Sequence, residues 1–158
     1  MQLKLISQDE EEYKNMLQQL HICERCPKML QSRKEVMGKN HYPCKPEGKI
    51  NAKYMIIGIA PGRMIQNHNK NNIEINIAFK RGSGEILFKI FKDLNIENDI
   101  YLTNMLKCNT PQDNIFLEED AITCIELYLM KEINIINPQK IIVLGQKAKY
   151  FFSKYVEK

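Results

Sequence analysis

The sequence predicts an α/β protein: a three-layer α/β/α sandwich built on a short parallel sheet. Three observations carry this reading. Apolar runs at 54–57, 99–103 and 140–144 are each followed by a helical pattern, the order that gives parallel strands joined by crossover helices. The first run stops abruptly in Gly58-Ile-Ala-Pro-Gly62, a strand-to-loop break at the end of the sheet where such folds bind ligands. The chain has 158 residues, 44% of them hydrophobic and 27% charged, enough for one core, and no linker divides it. Residues 1–158 are therefore expected to form one domain.

Each element has its own signal. Ser7 and Glu10 form a capping box, and Tyr13, Met16, Leu17 and Leu20 recur at helical spacing, which predicts a helix over 8–21. Gly38, Pro43, Pro46 and Gly48 among polar residues predict a loop over 32–51. The Asn-rich stretch 63–77 reads as a long loop at the ligand end of the sheet. Ser83 caps a helix with Ile86, Leu87, Ile90, Phe91 and Leu94 on one stripe. Ile122, Ile125, Leu129 and Ile133 mark a longer helix over 118–136, which Pro138 prevents from continuing. Gly145 turns the last strand into a final helix with Ala148, Phe151, Phe152 and Tyr155.

Composition narrows the function. No apolar run reaches the length of about 18 residues that a membrane helix needs. The start, Met1-Gln2-Leu3-Lys4, carries no signal-peptide pattern, so a cytoplasmic or nucleoid-associated protein is expected. The net charge of +4 permits nucleic-acid binding without requiring it. Five cysteines in such a compartment do not suggest a disulfide framework. Cys23 and Cys26 form a C-x2-C pair, Cys108 follows the second strand and Cys124 lies in the long helix. Metal or cluster ligation by these four is one reading, and small buried residues are the other. Cys44, in the Pro/Gly loop, reads as a spare thiol.

Taken together and in order, these motifs resemble the iron–sulfur uracil-DNA glycosylases of families 4 and 5. The resemblance covers residues from about 19 to 150. It rests on Cys23-x2-Cys26, Gly58-Ile-Ala-Pro-Gly62, Phe79 ahead of Gly82-Ser-Gly84, Tyr101-Leu-Thr-Asn-Met-Leu-Lys-Cys108, Cys124, and Pro138-x4-Ile-Val-Leu-Gly145-x2-Ala148. It implies a structural [4Fe–4S] cluster on Cys23, Cys26, Cys108 and Cys124, and a uracil pocket at the strand ends. Phe79 would stack on a flipped base, Asn104 would read its Watson–Crick edge, and the backbone of Ala60, Pro61 and Gly62 would line the pocket. DNA is the implied partner; Lys70, Lys80, Arg81 and Lys107 flank the expected pocket and are the candidate phosphate contacts.

The chain also departs from the family pattern. Ile59 stands where family 4 has an acid, and Gln66-Asn67 where further acids are expected. Arg81-Gly82 replaces the Asp that family 5 carries before its Ser-Gly. Asn67 is the remaining candidate to position a water through its amide, and Glu74 lies in the same loop. The family's His-Pro-Ser loop and the strand before it do not occur before Lys158. The resemblance thus predicts a C-terminally truncated form of the fold. Strand 140–144 is then an edge available to a second polypeptide or a second copy of the chain. Two readings follow: a uracil-DNA glycosylase, or a catalytically silent relative acting as a DNA-binding or structural subunit. A four-Cys zinc module is a third.

Overall fold

The computed structural model of the chain describes residues 7–38, 42–62, 79, 83–111 and 115–157. At its centre, β1 (Glu47–Gly48), β2 (Tyr54–Gly58), β3 (Ile100–Asn104) and β4 (Lys140–Val143) form a sheet in the order β1-β3-β2-β4. β2 pairs in parallel with β3 and with β4, and the register sets Gly58 beside Asn104. β1 adds an antiparallel pair on the far side of β3.

Side-chain alternation along β2 and β3 decides what covers each face. Met55, Ile57 and Tyr101 enter the larger core. Met16 and Leu20 of α1 (Gln8–His21), Met29 of α2 (Pro27–Met37), and Ala148 and Phe151 of α6 (Gln146–Tyr155) meet them there. Ile56, Ile100 and Leu102 face the other way, against Phe91 of α3 (Ser83–Asp93). This is the expected α/β/α layering, with helices on both faces.

The helices follow their local signals. The Ser7 hydroxyl accepts from the Glu10 N–H at 3.2 Å, and the Glu10 carboxylate accepts from the Ser7 N–H at 3.1 Å, closing the capping box of α1. The long helix is one rod in three parts: α4 (Glu118–Cys124), a π-helical turn (Ile125–Leu129) and α5 (Met130–Ile136). It stops at Asn137, which adopts a left-handed conformation (φ 45°) ahead of Pro138. Among the described residues, no helix is long and apolar enough to cross a membrane.

Three features differ from the sequence reading. Residues 32–37 are helical, not loop, because Pro27 begins α2, where its missing N–H is no loss, and Gly38 ends it. β1 is too short to leave a sequence signal. The α3 stripe is only partly used: Phe91 is buried, but Ile86, Ile90 and Leu94 are exposed. The final helix places Ala148 and Phe151 in the core, with Phe152 and Tyr155 partly buried and the Phe151 ring 5.6 Å from that of Phe116. β4 has β2 as its one strand neighbour among the described residues, and Ile142 is 44% exposed.

β1 depends on Gly48. It sits at φ 130°, and a Cβ there would lie 2.4 Å from the Ile100 carbonyl oxygen. Gly48→Ala is expected to break the β1–β3 pair and destabilise the chain by about 1–3 kcal/mol, read from urea unfolding. An unchanged midpoint would show that β1 does not contribute.

Candidate functional site

The site forms where β2 and β3 leave the sheet. Their parallel register continues past the last strand residues: the Met105 N–H donates to the Gly58 carbonyl at 2.9 Å, and the Leu106 N–H to that of Ile59 at 3.0 Å. Asn109 extends this clasp through its side-chain amide, which donates to the Gly62 carbonyl at 3.1 Å. The loop 58–62 is thus strapped to the loop 104–109. Pro61 is buried in it and Ala60 half-buried.

Asn104 and Phe79 converge on Gly58. A Cβ at Gly58 would stand 2.6 Å from Asn104 Oδ1 and 2.8 Å from Phe79 Cζ, so only glycine leaves room for both side chains. Phe79 has a positive φ of 64°. Its carbonyl is approached so closely by Gly84 that a Cβ there would overlap it, at 1.6 Å. Two glycines therefore let a strained aromatic residue lie across the end of β2 beside a buried amide. An aromatic ring near an amide that both donates and accepts suits a planar base with a hydrogen-bonding edge. Asn67, Lys70, Lys80 and Arg81 lie outside the described residues.

Lys107 is not a surface cation, which corrects its expected role as a phosphate contact. Its side chain is 2% exposed and its ammonium lies 2.8 Å from the Glu132 carboxylate, itself fully buried. The ammonium also donates to Thr103 Oγ1 at 2.6 Å and to the Asn104 carbonyl at 2.7 Å. Burying a lysine demands such a counter-charge, and Glu132 supplies it from α5.

The four cysteines gather where Cys108 ends the same loop. Cys26 caps α2, Cys108 ends the β3 exit loop, and Cys124 closes α4. Cys26 is close enough to Cys124 and Cys108, and Cys108 and Cys124 to Cys23, for their charges to repel. Burial, then this repulsion, pushes the Cys124 thiol up to about 12. Burial first, then Cys124, raises Cys26 as well, and burial raises Cys108 despite the Arg33 guanidinium beside it. Cys44 lies in the same region: it is buried, and its N–H donates to the Lys107 carbonyl at 2.5 Å.

Arg33 was not visible as a site residue in the sequence. It is 2% exposed. It donates through Nη1 to the Cys108 sulfur at 3.1 Å and through Nη2 to the Cys23 carbonyl at 3.1 Å. No carboxylate pairs with it among the described residues. A buried guanidinium facing sulfur is matched when that sulfur belongs to a negatively charged group.

The family now follows. The sequence profile described as "Uracil DNA glycosylase superfamily" matches residues 45–157. The chain belongs to this superfamily. It is 35% identical over 138 residues to a type-4 uracil-DNA glycosylase of Sulfurisphaera tokodaii, an overlap of 85% of this chain and 56% of that protein. It is 29% identical to a type-4 enzyme of Pyrobaculum aerophilum, covering 82% of this chain and 60% of the relative. A type-5 uracil-DNA glycosylase of the same organism is 26% identical, covering 86% and 67%. The chain thus spans a little under three fifths to two thirds of the length of these superfamily members. Its sheet and helices are those of a uracil-DNA glycosylase-like fold.

Arg33→Met keeps most of the stem and removes the donors to Cys108 and Cys23. It is expected to lower stability by about 1.5–3 kcal/mol in urea unfolding of the protein purified without oxygen. A variant as stable as the parent would mean the guanidinium does not hold the cysteine loops together.

Proposed function

We propose that this chain binds a uracil base turned out of DNA and belongs to a uracil-DNA glycosylase, hydrolysing the N-glycosidic bond. The observation that carries this reading is the convergence of Phe79 and Asn104 on Gly58. Phe79 stacks on the base, Asn104 reads its edge, and the backbone of Ala60 to Gly62 closes the pocket. Uracil differs from cytosine at the edge an amide reads, so the fixed amide is the specificity element. Asn67 is the candidate for positioning the attacking water. Lys70, Lys80 and Arg81 are the candidates for phosphate contact. Residues 1–158 act as one glycosylase-like unit, which an adjoining strand or a second polypeptide would extend at the β4 edge.

Cys23, Cys26, Cys108 and Cys124 are proposed to hold a [4Fe–4S] cluster with a structural role. One feature supports the fit: Arg33 provides buried positive charge that neutral thiols leave uncompensated. When bound, the cluster would tie α2, the β3 exit loop and α4 into one rigid support.

A second reading is favoured by one observation. Ile59, where family 4 has an acid, is half-buried and packs against the core. Without a carboxylate there, the chain would bind the base and not release it.

Base release from a uracil-containing single-stranded oligonucleotide separates the two. The glycosylase reading expects free uracil from the parent chain, and at least tenfold less from Gly58→Ala, whose Cβ intrudes between Asn104 and Phe79. Uracil-preferring binding without release would establish the silent relative. Neither binding preference nor release would overturn both.

A further inference from the structure

Buried ion pairs are a poor source of stability, because two charges leave water and their mutual attraction only about offsets that loss. The Lys107–Glu132 pair therefore needs another explanation. It is the most deeply buried ionic group among the described residues, with side chains 2% and 0% exposed. Its hydrogen bonds converge on one short segment. Thr103 Oγ1 donates to Glu132 Oε2 at 2.6 Å, while the Lys107 ammonium donates to that same hydroxyl at 2.6 Å and to the Asn104 carbonyl at 2.7 Å. The ammonium also donates to Glu132 Oε2 at 2.8 Å, and Glu132 Oε1 lies 2.8 Å from it without a hydrogen bond.

The main chain of Lys107 reaches the opposite way. Its N–H faces the Cys124 sulfur, and its carbonyl accepts from the Cys44 N–H at 2.5 Å. One residue thus grips the peptide of Asn104 with its side chain and the cysteine loops with its backbone. Apolar side chains of equal volume would fill the same space, yet none could hold the Asn104 carbonyl.

We propose that the Lys107–Glu132 pair is a positioning strut. It fixes the peptide that follows Asn104, and so the direction of the Asn104 amide, against the support formed by the cysteine segments. Lys107 and Glu132 touch no substrate; they act through Asn104. The proposal rests on the reading of Asn104 as the residue that faces the base.

The test is the double variant Lys107→Met with Glu132→Gln. It removes both charges and keeps the volumes, so it leaves no unpaired buried ion. Binding is measured to a single-stranded oligonucleotide carrying uracil and to the same oligonucleotide carrying thymine. Amide hydrogen exchange is measured at Met105 and Leu106, with Ile56 and Ile57 as strand controls. The strut predicts a folded variant with a melting temperature near the parent's. Its preference for uracil falls at least tenfold, and exchange at Met105 and Leu106 quickens at least tenfold while Ile56 and Ile57 stay protected. A merely structural pair would slow or speed exchange throughout the sheet together. If the double variant does not fold, Thr103→Val, which cuts the hydroxyl link and keeps both charges, is read the same way, with a several-fold effect expected. Unchanged exchange at Met105 and Leu106 in a folded variant overturns the strut. Should the parent show no preference for uracil, the base-binding reading fails, and the exchange measurement still decides on the strut.

Discussion

Two parallel strands leave the sheet side by side and stay hydrogen-bonded after they leave it. The N–H groups of Met105 and Leu106 continue the ladder onto the carbonyls of Gly58 and Ile59, at 2.9 and 3.0 Å. The Leu144 N–H does the same for Ile57 from the β4 side, at 2.8 Å. Loop backbone at the end of a sheet usually has freedom to move. Here the carbonyls of Gly58, Ile59 and Gly62 are already paired, so the loops inherit the rigidity of the strands. Pocket and cysteine cluster both depend on that inheritance, since Gly58 and Asn104 open the clasped segment and Cys108 closes it.

Charge then selects what the clasp can support. Two cations, Lys107 and Arg33, are buried close to it, which is rare for such residues. Each has a different answer. Lys107 meets Glu132 and turns its donors toward Asn104. Arg33 meets a sulfur and a carbonyl and has no carboxylate partner among the described residues. The first arrangement is complete within the chain. The second would be completed by negative charge on the cysteines. Thiols this buried ionise only when a metal centre or a cation holds the charge, so guanidinium and cluster would stabilise each other.

Much of the scaffold was legible because it follows local rules. The capping box at Ser7 and Glu10 set the start of α1, and Pro138 together with the Ile122–Ile133 stripe set the extent of the long helix. The π-helical turn within that helix left no mark, because its residues keep a helical apolar pattern. α2 was hidden by its neighbours: loop-forming Gly and Pro residues from 38 to 48 made the whole stretch read as irregular. Gly58, Phe79 and Asn104 were legible through motif order and not through chemistry, since their meeting depends on strand register. Lys107 was misread, because a lysine beside a ligand loop ordinarily faces water. Its partner lies on another element, 25 positions away. Arg33 was missed for the same reason: its contact to Cys108 spans 75 positions.

The central claim is that one clasped loop carries a base pocket at its Asn104 end and a cluster at its Cys108 end. Anomalous X-ray scattering at the iron edge, from crystals grown without oxygen, tests it most directly. The account predicts an iron signal enclosed by Cys23, Cys26, Cys108 and Cys124, with the Arg33 guanidinium facing it and Asn104 at the other end of the loop. A single zinc at those sulfurs, or four cysteines packed as neutral thiols in protein prepared under iron-replete, oxygen-free conditions, would contradict it.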